Sequence, residues 1–175
     1  GPDAASEARP VADSNGFWAS SWSPEGRLIG MKDGHLWLYT PDEAGARPSA
    51  LVPTTAAETQ PMWSPDGRWV AYTSDTTGRL EVHMRPFPGP GEAITVSTGG
   101  GSSPAWNPNG MELFYVEPGP ARDRMMSVDV AAAGRPGSPR ELFSIPDDEL
   151  SFGPGVLTPY AVAPDGHRFY AVRQP

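Results

Sequence analysis

Trp63-Ser64-Pro65-Asp66-Gly67-Arg68-Trp69-Val70-Ala71-Tyr72 is the stretch that decides the fold. Pro65 presets its own φ and Gly67 accepts the positive φ that other residues resist, so Pro-Asp-Gly is a tight turn. Beyond it, Trp69-Val70-Ala71-Tyr72 is a continuous apolar run of aromatic, β-branched and small residues, as in a strand covered on both faces. A turn between two short apolar runs is a hairpin. The stretch recurs. Trp22-Ser23-Pro24-Glu25-Gly26-Arg27 precedes it, and Trp106-Asn107-Pro108-Asn109-Gly110-Met111 follows. Val162-Ala163-Pro164-Asp165-Gly166-His167 closes the series without the Trp. The prolines stand at 24, 65, 108 and 164, in steps of 41, 43 and 56. The first two steps match a propeller blade of about 40–45 residues. The third carries an insertion, expected within residues 131–139 and 146–159.

Outward from each hairpin the grammar continues. A second turn follows, Lys32-Asp33-Gly34 in the first unit and Asp75-Thr76-Thr77-Gly78 in the second. A third strand is predicted at residues 35–39, 80–85 and 125–130, and a more polar fourth at 50–52, 94–97 and 141–144. Four antiparallel strands per unit make a blade, with the strand that ends at the repeated Trp innermost. The fold expected is therefore all-β: a β-propeller, or part of one, in a single domain of about four four-stranded blades. The blades fall near residues 16–52, 59–97, 102–145 and 159–173, the last incomplete. Val11 precedes Trp22 by the same 11 residues that separate Val52 from Trp63, so residues 8–12 are expected to form a lone outer strand. The sequence ends with Val172-Arg173-Gln174-Pro175, where a third strand is due, which suggests a partial chain.

Composition agrees. The 175 residues include 22 Pro and 20 Gly, too many helix breakers for an all-α domain. Six Trp and 38% hydrophobic residues supply a core, against disorder. The net charge of −8, with Lys32 the only lysine, argues against a nucleic-acid surface and against anionic membranes. With no Cys there is no disulfide, thiolate or Cys-based zinc chemistry, and both the cytoplasm and the bacterial exterior remain compatible. No apolar run approaches the roughly 18 residues of a membrane span. No secretion leader is recognised, and Gly1-Pro2 resembles a protease-cleavage scar, an expectation that a leader or domain was removed.

The Trp-Ser-Pro-Asp-Gly-Arg-x-apolar-Ala-Tyr pattern resembles the WD40-like, or TolB-like, β-propeller repeat over residues 16–173. Val82-His83-Met84-Arg85-Pro86-Phe87-Pro88-Gly89-Pro90-Gly91 with Val96-Ser97-Thr98-Gly99-Gly100-Gly101 narrows it, as does Tyr160-Ala161-Val162-Ala163-Pro164-Asp165-Gly166-His167-Arg168-Phe169. Both are similar to propellers appended to bacterial serine/threonine kinases and transcriptional regulators. The resemblance implies binding of proteins or small ligands through loops at the ends of a central channel. It also implies an alternative, a gating domain in front of a serine peptidase.

Catalytic signals are weak. His35, His83 and His167 form no metal-ligand spacing, and His35 and His83 are expected as partly exposed strand residues. Gly99-Gly100-Gly101-Ser102-Ser103 lacks the helix and Lys of a phosphate loop and the Gly-x-Ser-x-Gly of a nucleophile elbow, so it is expected to be a plain connection between blades. Asp147-Asp148-Glu149 lacks calcium-loop spacing and is expected to be a solvated loop. Binding is the better expectation. Fourth-to-first and second-to-third strand connections share one face, and the candidates there are Phe17, Trp18, Gln60, Asp75, Thr76 and Ser102. Trp18 is either an anchor for a partner or a plug between blades. Trp22, Trp63 and Trp106 are repeat-phased and expected in the core, and Trp37 and Trp69 are expected buried within strands. The chain is thus expected to be a non-enzymatic recognition module for a protein or small-molecule ligand, with no cofactor, metal or nucleic acid. It would belong to a larger bacterial signalling protein, with an extracytoplasmic setting favoured. A third possibility is self-association, in which open blade edges join two copies into one ring.

Overall fold

In a computed structural model the chain is described at residues 11, 13–41, 45–51, 54–89, 91–131, 134–145 and 158–171. These residues form fourteen strands and no helix, so none is long and apolar enough to cross a membrane. The first sheet contains β1 (Trp18–Trp22), β2 (Leu28–Lys32), β3 (His35–Tyr39) and β4 (Ser49–Ala50). The second contains β5 (Glu58–Trp63), β6 (Trp69–Ser74), β7 (Glu81–Pro86) and β8 (Ile94–Thr95). The third contains β9 (Ser102–Trp106), β10 (Glu112–Glu117), β11 (Arg124–Asp129) and β12 (Arg140–Ser144). A hairpin of β13 (Tyr160–Val162) and β14 (Phe169–Ala171) ends the series. Every pairing is antiparallel and sequential, and β1, β5, β9 and β13 are neighbours along the inside. This is a β-propeller arc of three full blades and the inner half of a fourth.

The repeated turn explains itself in hydrogen bonds. Ser64 N donates to Trp69 O at 2.8 Å, and Gly67 N donates to Ser64 O at 2.9 Å. The Ser64 hydroxyl donates to Asp66 Oδ1 at 2.6 Å and accepts from Trp69 N at 2.9 Å. Asp66 Oδ1 also accepts from Arg68 N, and Oδ2 from Arg68 Nε at 2.7 Å. Burial alone would raise the Asp66 carboxyl, but the Ser64 and Arg68 donors outweigh it and hold its pKa below the ordinary value. Asn109 replaces the acid in the third copy and caps Met111 N at 2.8 Å. Asp165 caps His167 N at 3.0 Å in the fourth. Gly67 and Gly166 are required twice over. Both sit at positive φ, and a Cβ there would lie 2.6 Å from Glu25 Oε2 and 2.5 Å from Asn107 Oδ1 respectively. Each turn therefore stacks on the turn of the blade before it.

Between sheets lie three apolar clusters. Ile29 and Leu36 of the first blade meet Trp63, Val70 and Tyr72 of the second, with Phe87 edge-on to Trp63 at 4.8 Å. Ala71, Val82, Met84 and Val96 meet Trp106, Leu113, Tyr115, Met126 and Val128 of the third. Phe114, Val116 and Met125 meet Tyr160, and Phe169 lies edge-on to Phe114 at 4.9 Å. Alternate residues of each second strand thus face opposite neighbours, as period-2 geometry requires.

Several expectations are corrected. Trp63 and Trp106 are buried, but Trp22 is largely exposed, because the described residues place no blade against its side of β1. Trp37 and Trp69 are half-buried. His83 is buried, stacked on Tyr72 at 5.7 Å between centroids, and burial lowers its pKa. The fourth strands of the first two blades are only two residues long, although Leu51 N and Val96 N extend the pairing to Leu36 O and Val82 O. The lone strand expected at residues 8–12 lies outside the described residues apart from Val11, as do residues 146–157 of the insertion.

Candidate functional site

The connections β4–β5, β6–β7 and β8–β9 emerge on one face of the arc. Two shallow depressions open there, on either side of the β6–β7 turn. The first, of about 750 Å³, is lined by Thr54, Thr55, Ala56, Asp75 and Thr76. The second, of about 490 Å³, is lined by Thr77, Gly78, Arg79, Glu81, Thr95, Ser97 and Thr98. Asp75 fastens the two connections: its Oδ1 accepts from Ala57 N at 2.9 Å, and its own N–H donates to Ala57 O at 3.3 Å. Thr76 is set by Ser74, whose hydroxyl lies 2.9 Å from Thr76 Oγ1 and accepts from Thr76 N at 3.2 Å.

Of the six candidates, the structure brings only Asp75 and Thr76 together on this face. Trp18 lies within β1, not in a loop, and is 60% exposed, so it is no plug between the described blades. Phe17 is half-buried and fills a gap. A Cβ on Gly30 would lie 2.8 Å from its ring, and Gly30 holds the pairing position that Tyr72 and Tyr115 hold in later blades. Gln60 and Ser102 are buried in inner strands rather than exposed in loops. The reason is a repeated β-bulge, at which Gln60 and Ser103 adopt φ of 56° and 57°. The bulge turns the Gln60 amide toward the third blade. Its Oε1 accepts from Ser103 N at 2.8 Å and from Thr73 Oγ1 at 2.9 Å, and its Nε2 donates to Ser103 Oγ at 3.1 Å.

Three carboxylates beneath the face escaped the sequence analysis. Glu58, Glu81 and Glu117 are all buried. Glu81 accepts from Arg79 Nε at 2.5 Å, from Gly100 N at 3.3 Å and from the Ser97 hydroxyl. Glu117 accepts from Arg124 Nη2. The glycine run packs on these groups: a Cβ on Gly99 would lie 2.9 Å from the Glu117 carboxyl, and one on Gly101 2.8 Å from Ser97 Cβ. The triplet is therefore a close-packed lid over acids, not an anion cradle. The available signal was an acid at one end of a strand, as at Glu81 and Glu117, near a run of three glycines. Glu58 differs: burial raises its pKa above the ordinary value, its Oε2 has no hydrogen-bond partner, and the Leu36 backbone, His35 and Arg85 offset the rise only in part. Among the described residues no group of three or more His, Asp or Glu could hold a metal ion. Chemically the face offers threonine hydroxyls, the carboxylates of Asp75 and Glu81 and the guanidinium of Arg79, a set for hydrogen-bonding a polar ligand.

The architecture defines the class first: a β-propeller whose blades are built on the Trp-Ser-Pro-Asp-Gly hairpin. No family model matches the chain. It is 27% identical over 169 residues to an uncharacterized protein of Agrobacterium fabrum, covering 90% of this chain and 54% of that protein. It is 37% identical over 86 residues to the uncharacterized peptidase YuxL of Bacillus subtilis, covering 46% of this chain and 12% of YuxL. Among solved structures, TolB from Acinetobacter baumannii superposes with a TM-score of 0.66 at 19% identity, over 91% of this chain and 38% of that one. A putative TolB from Agrobacterium tumefaciens superposes with a TM-score of 0.59 at 22% identity, over 74% and 50%. The chain thus spans about half the length, or less, of the proteins it matches. In particular, its fold is that of the TolB-like propellers.

Proposed function

We propose that this chain is a recognition module that binds a polar peptide segment of a protein partner across the two depressions beside the β6–β7 turn. The observation that carries the reading is the pinning of that turn. Asp75 and Ser74 fix it by hydrogen bonds to neighbouring backbone and side chain, so Thr76 and the adjoining β4–β5 connection at Ala57 are held in place before a ligand arrives. Preorganised donors and acceptors bind without the ordering cost of a loose loop. The net charge of −8 favours neutral or basic segments over acidic ones. An extracytoplasmic bacterial setting, in a larger signalling protein, completes the proposal.

The test is affinity selection from a library of capped random peptides by the intact chain, with Thr55→Val/Thr76→Val as the comparison. The expectation is retention of polar or basic peptides by the wild type and at least about tenfold weaker retention by the variant. Equal retention by both proteins, or by neither, overturns the proposal.

A second reading is favoured by the 37% identity to YuxL: a gating propeller in front of a peptidase domain. In that reading the hydrolytic residues lie outside this chain. Hydrolysis of peptide nitroanilides by the chain alone would overturn both readings.

A further inference from the structure

A groove opens between the second and third blades, both complete, away from the two ends of the arc. It lies at the end of the strands opposite the proposed binding face. One residue closes each repeated hairpin turn with its carbonyl: Arg27, Trp69, Glu112 and Arg168 accept from Ser23 N, Ser64 N, Asn107 N and Ala163 N respectively. Three of these four are charged, and the second blade alone places an aromatic residue there. One position earlier the last three blades carry Arg68, Met111 and His167. Met111 is the apolar exception, and it is 64% exposed. The hairpin therefore requires neither Trp69 nor Met111, since charged residues close the same turn elsewhere. Yet both line one cavity of about 280 Å³, with Pro65, Val130 and Ala131 as further apolar walls.

The junction of the first and second blades shows what such a groove holds. Phe87 N donates to Arg68 O as Val130 N donates to Met111 O, so Phe87 and Val130 are equivalent. Phe87 sets its ring edge-on to Trp63 at 4.8 Å, with the Arg27 guanidinium 5.4 Å from the ring centroid. At the next junction Val130 takes the place of that ring, and Trp69 the place of Arg27. The smaller side chain leaves room that a phenyl ring fills one blade earlier. The indole is held in position: a Cβ on Gly134 would lie 1.6 Å from Trp69 Cζ2, so the Gly134 backbone closes on its edge. Arg68 stands at the rim, its Nε on Asp66 Oδ2 at 2.7 Å. An indole, a thioether and a guanidinium each attract an aromatic ring. The space is ample, since an apolar cavity of about 150 Å³ already admits benzene.

We propose that this groove takes the phenyl ring of a phenylalanine carried by a partner peptide, seated against Trp69 and Met111 as the first junction seats Phe87 of its own chain. The occupant at the first junction is itself a side chain on a peptide backbone. The second groove opens beside exposed Met111, so a peptide can deliver the ring from outside. Asp66 and Arg68 neutralise each other at the rim, so selection falls on the ring and not on charge.

Titration of the intact chain with N-acetylphenylalanine amide, followed by NMR at the Trp69 indole N–H and the Met111 methyl group, tests this. Saturable shifts in the millimolar range are expected at both, with N-acetylleucine amide at least about fivefold weaker. Trp69→Arg and Met111→Arg each install a residue that another blade carries at the same position, which keeps the hairpin intact, and far-UV circular dichroism confirms the fold. Each is expected to weaken binding by at least about fivefold, read at the reporter that remains. The Thr55→Val/Thr76→Val variant, altered on the opposite face, is expected to respond like the wild type, so this proposal and the peptide recognition proposed above fail separately. The absence of a saturable shift, equal affinity for the leucine probe, or a response indifferent to Met111→Arg overturns the proposal. So does a saturable response to p-cresol with none to N-acetylphenylalanine amide, which would make free aromatic compounds the occupants.

Discussion

Replacing Gln60 by Ala tests whether the inner bulge holds the arc together or serves a ligand. Gln60 is fully buried, and its amide accepts from Ser103 N at 2.8 Å and from Thr73 Oγ1 at 2.9 Å and donates to Ser103 Oγ at 3.1 Å. Truncation strands the Ser103 N–H, which cannot reorient, and leaves two hydroxyls short of a partner. An unmet buried donor costs about 1–3 kcal/mol, and hydroxyls that can rotate cost less. The vacated amide adds a small cavity term of about 1 kcal/mol. The expected loss is therefore about 3–4 kcal/mol. Urea unfolding followed by tryptophan fluorescence reads it. With a slope of about 2 kcal/mol/M, the midpoint falls by roughly 1.5–2 M. Gln60→Gly removes the same bonds but relieves the φ of 56°, so it should be milder than Gln60→Ala by about 1 kcal/mol. Thr73→Val removes one bond and should cost about 1 kcal/mol, a readable effect if Gln60→Ala fails to fold. A loss below about 1 kcal/mol in Gln60→Ala would refute the bracket and return Gln60 to the ligand candidates.

The acids below the proposed binding face carry two further predictions. Glu58→Gln should stabilise the protein at pH 7 by about 1 kcal/mol and have little effect at pH 4, by thermal melts at both values. The sign follows from the raised pKa of buried Glu58: the folded state prefers the protonated form, so its favourable contribution is lost as pH rises through the folded pKa. Equal effects at both pH values would reject the argument. Gly99→Ala should destabilise by about 1–3 kcal/mol, because its Cβ would press within 2.9 Å of the Glu117 carboxyl paired with Arg124, and a neutral outcome in urea unfolding would show that the lid is loose.

The sequence made the fold legible because the deciding bonds are local. Ser64, Asp66, Arg68 and Trp69 complete the hairpin within a few residues, and the same chemistry recurs at Asp165. Periodicity also placed the second strands, since Val70 and Ala71 are buried from opposite sides by different blades. The candidate site was less legible. Gln60 and Ser102 sit where an average blade would have loop, but a bulge draws them into the inner strands, and a positive φ at a non-glycine residue leaves no mark in sequence. The packing of Phe17 is not legible in the sequence, because it depends on Gly30 lacking the ring that Tyr72 and Tyr115 supply, a comparison that needs strand register. Trp22 was expected in the core because phase alone says which residue points at a junction and not whether the described chain fills it.

The buried acids underlie the proposed binding face. A propeller face could bind through loose loops, but here the β4–β5 connection is tied to Asp75 of the adjacent turn and the β8–β9 connection to buried Glu81. Asp75 holds the β4–β5 connection through Ala57, and Glu81 holds the β8–β9 connection through Ser97 and Gly100. Arg79 joins Glu81 to Thr98 O at 2.8 Å, spanning the second depression. Burying carboxylates is costly unless they are paired, and a blade core of Val, Met and Tyr has no need of them for packing alone. Their placement at the strand ends under these connections is explained if the connections must keep one shape. A face kept in one shape loses little entropy on binding, so its modest depressions can still discriminate between ligands. That rigidity is measurable: amide exchange at Ala57, Thr76, Gly100 and Gly101 should approach that of the strands, whereas rapid exchange there would separate the acids from the face they underlie.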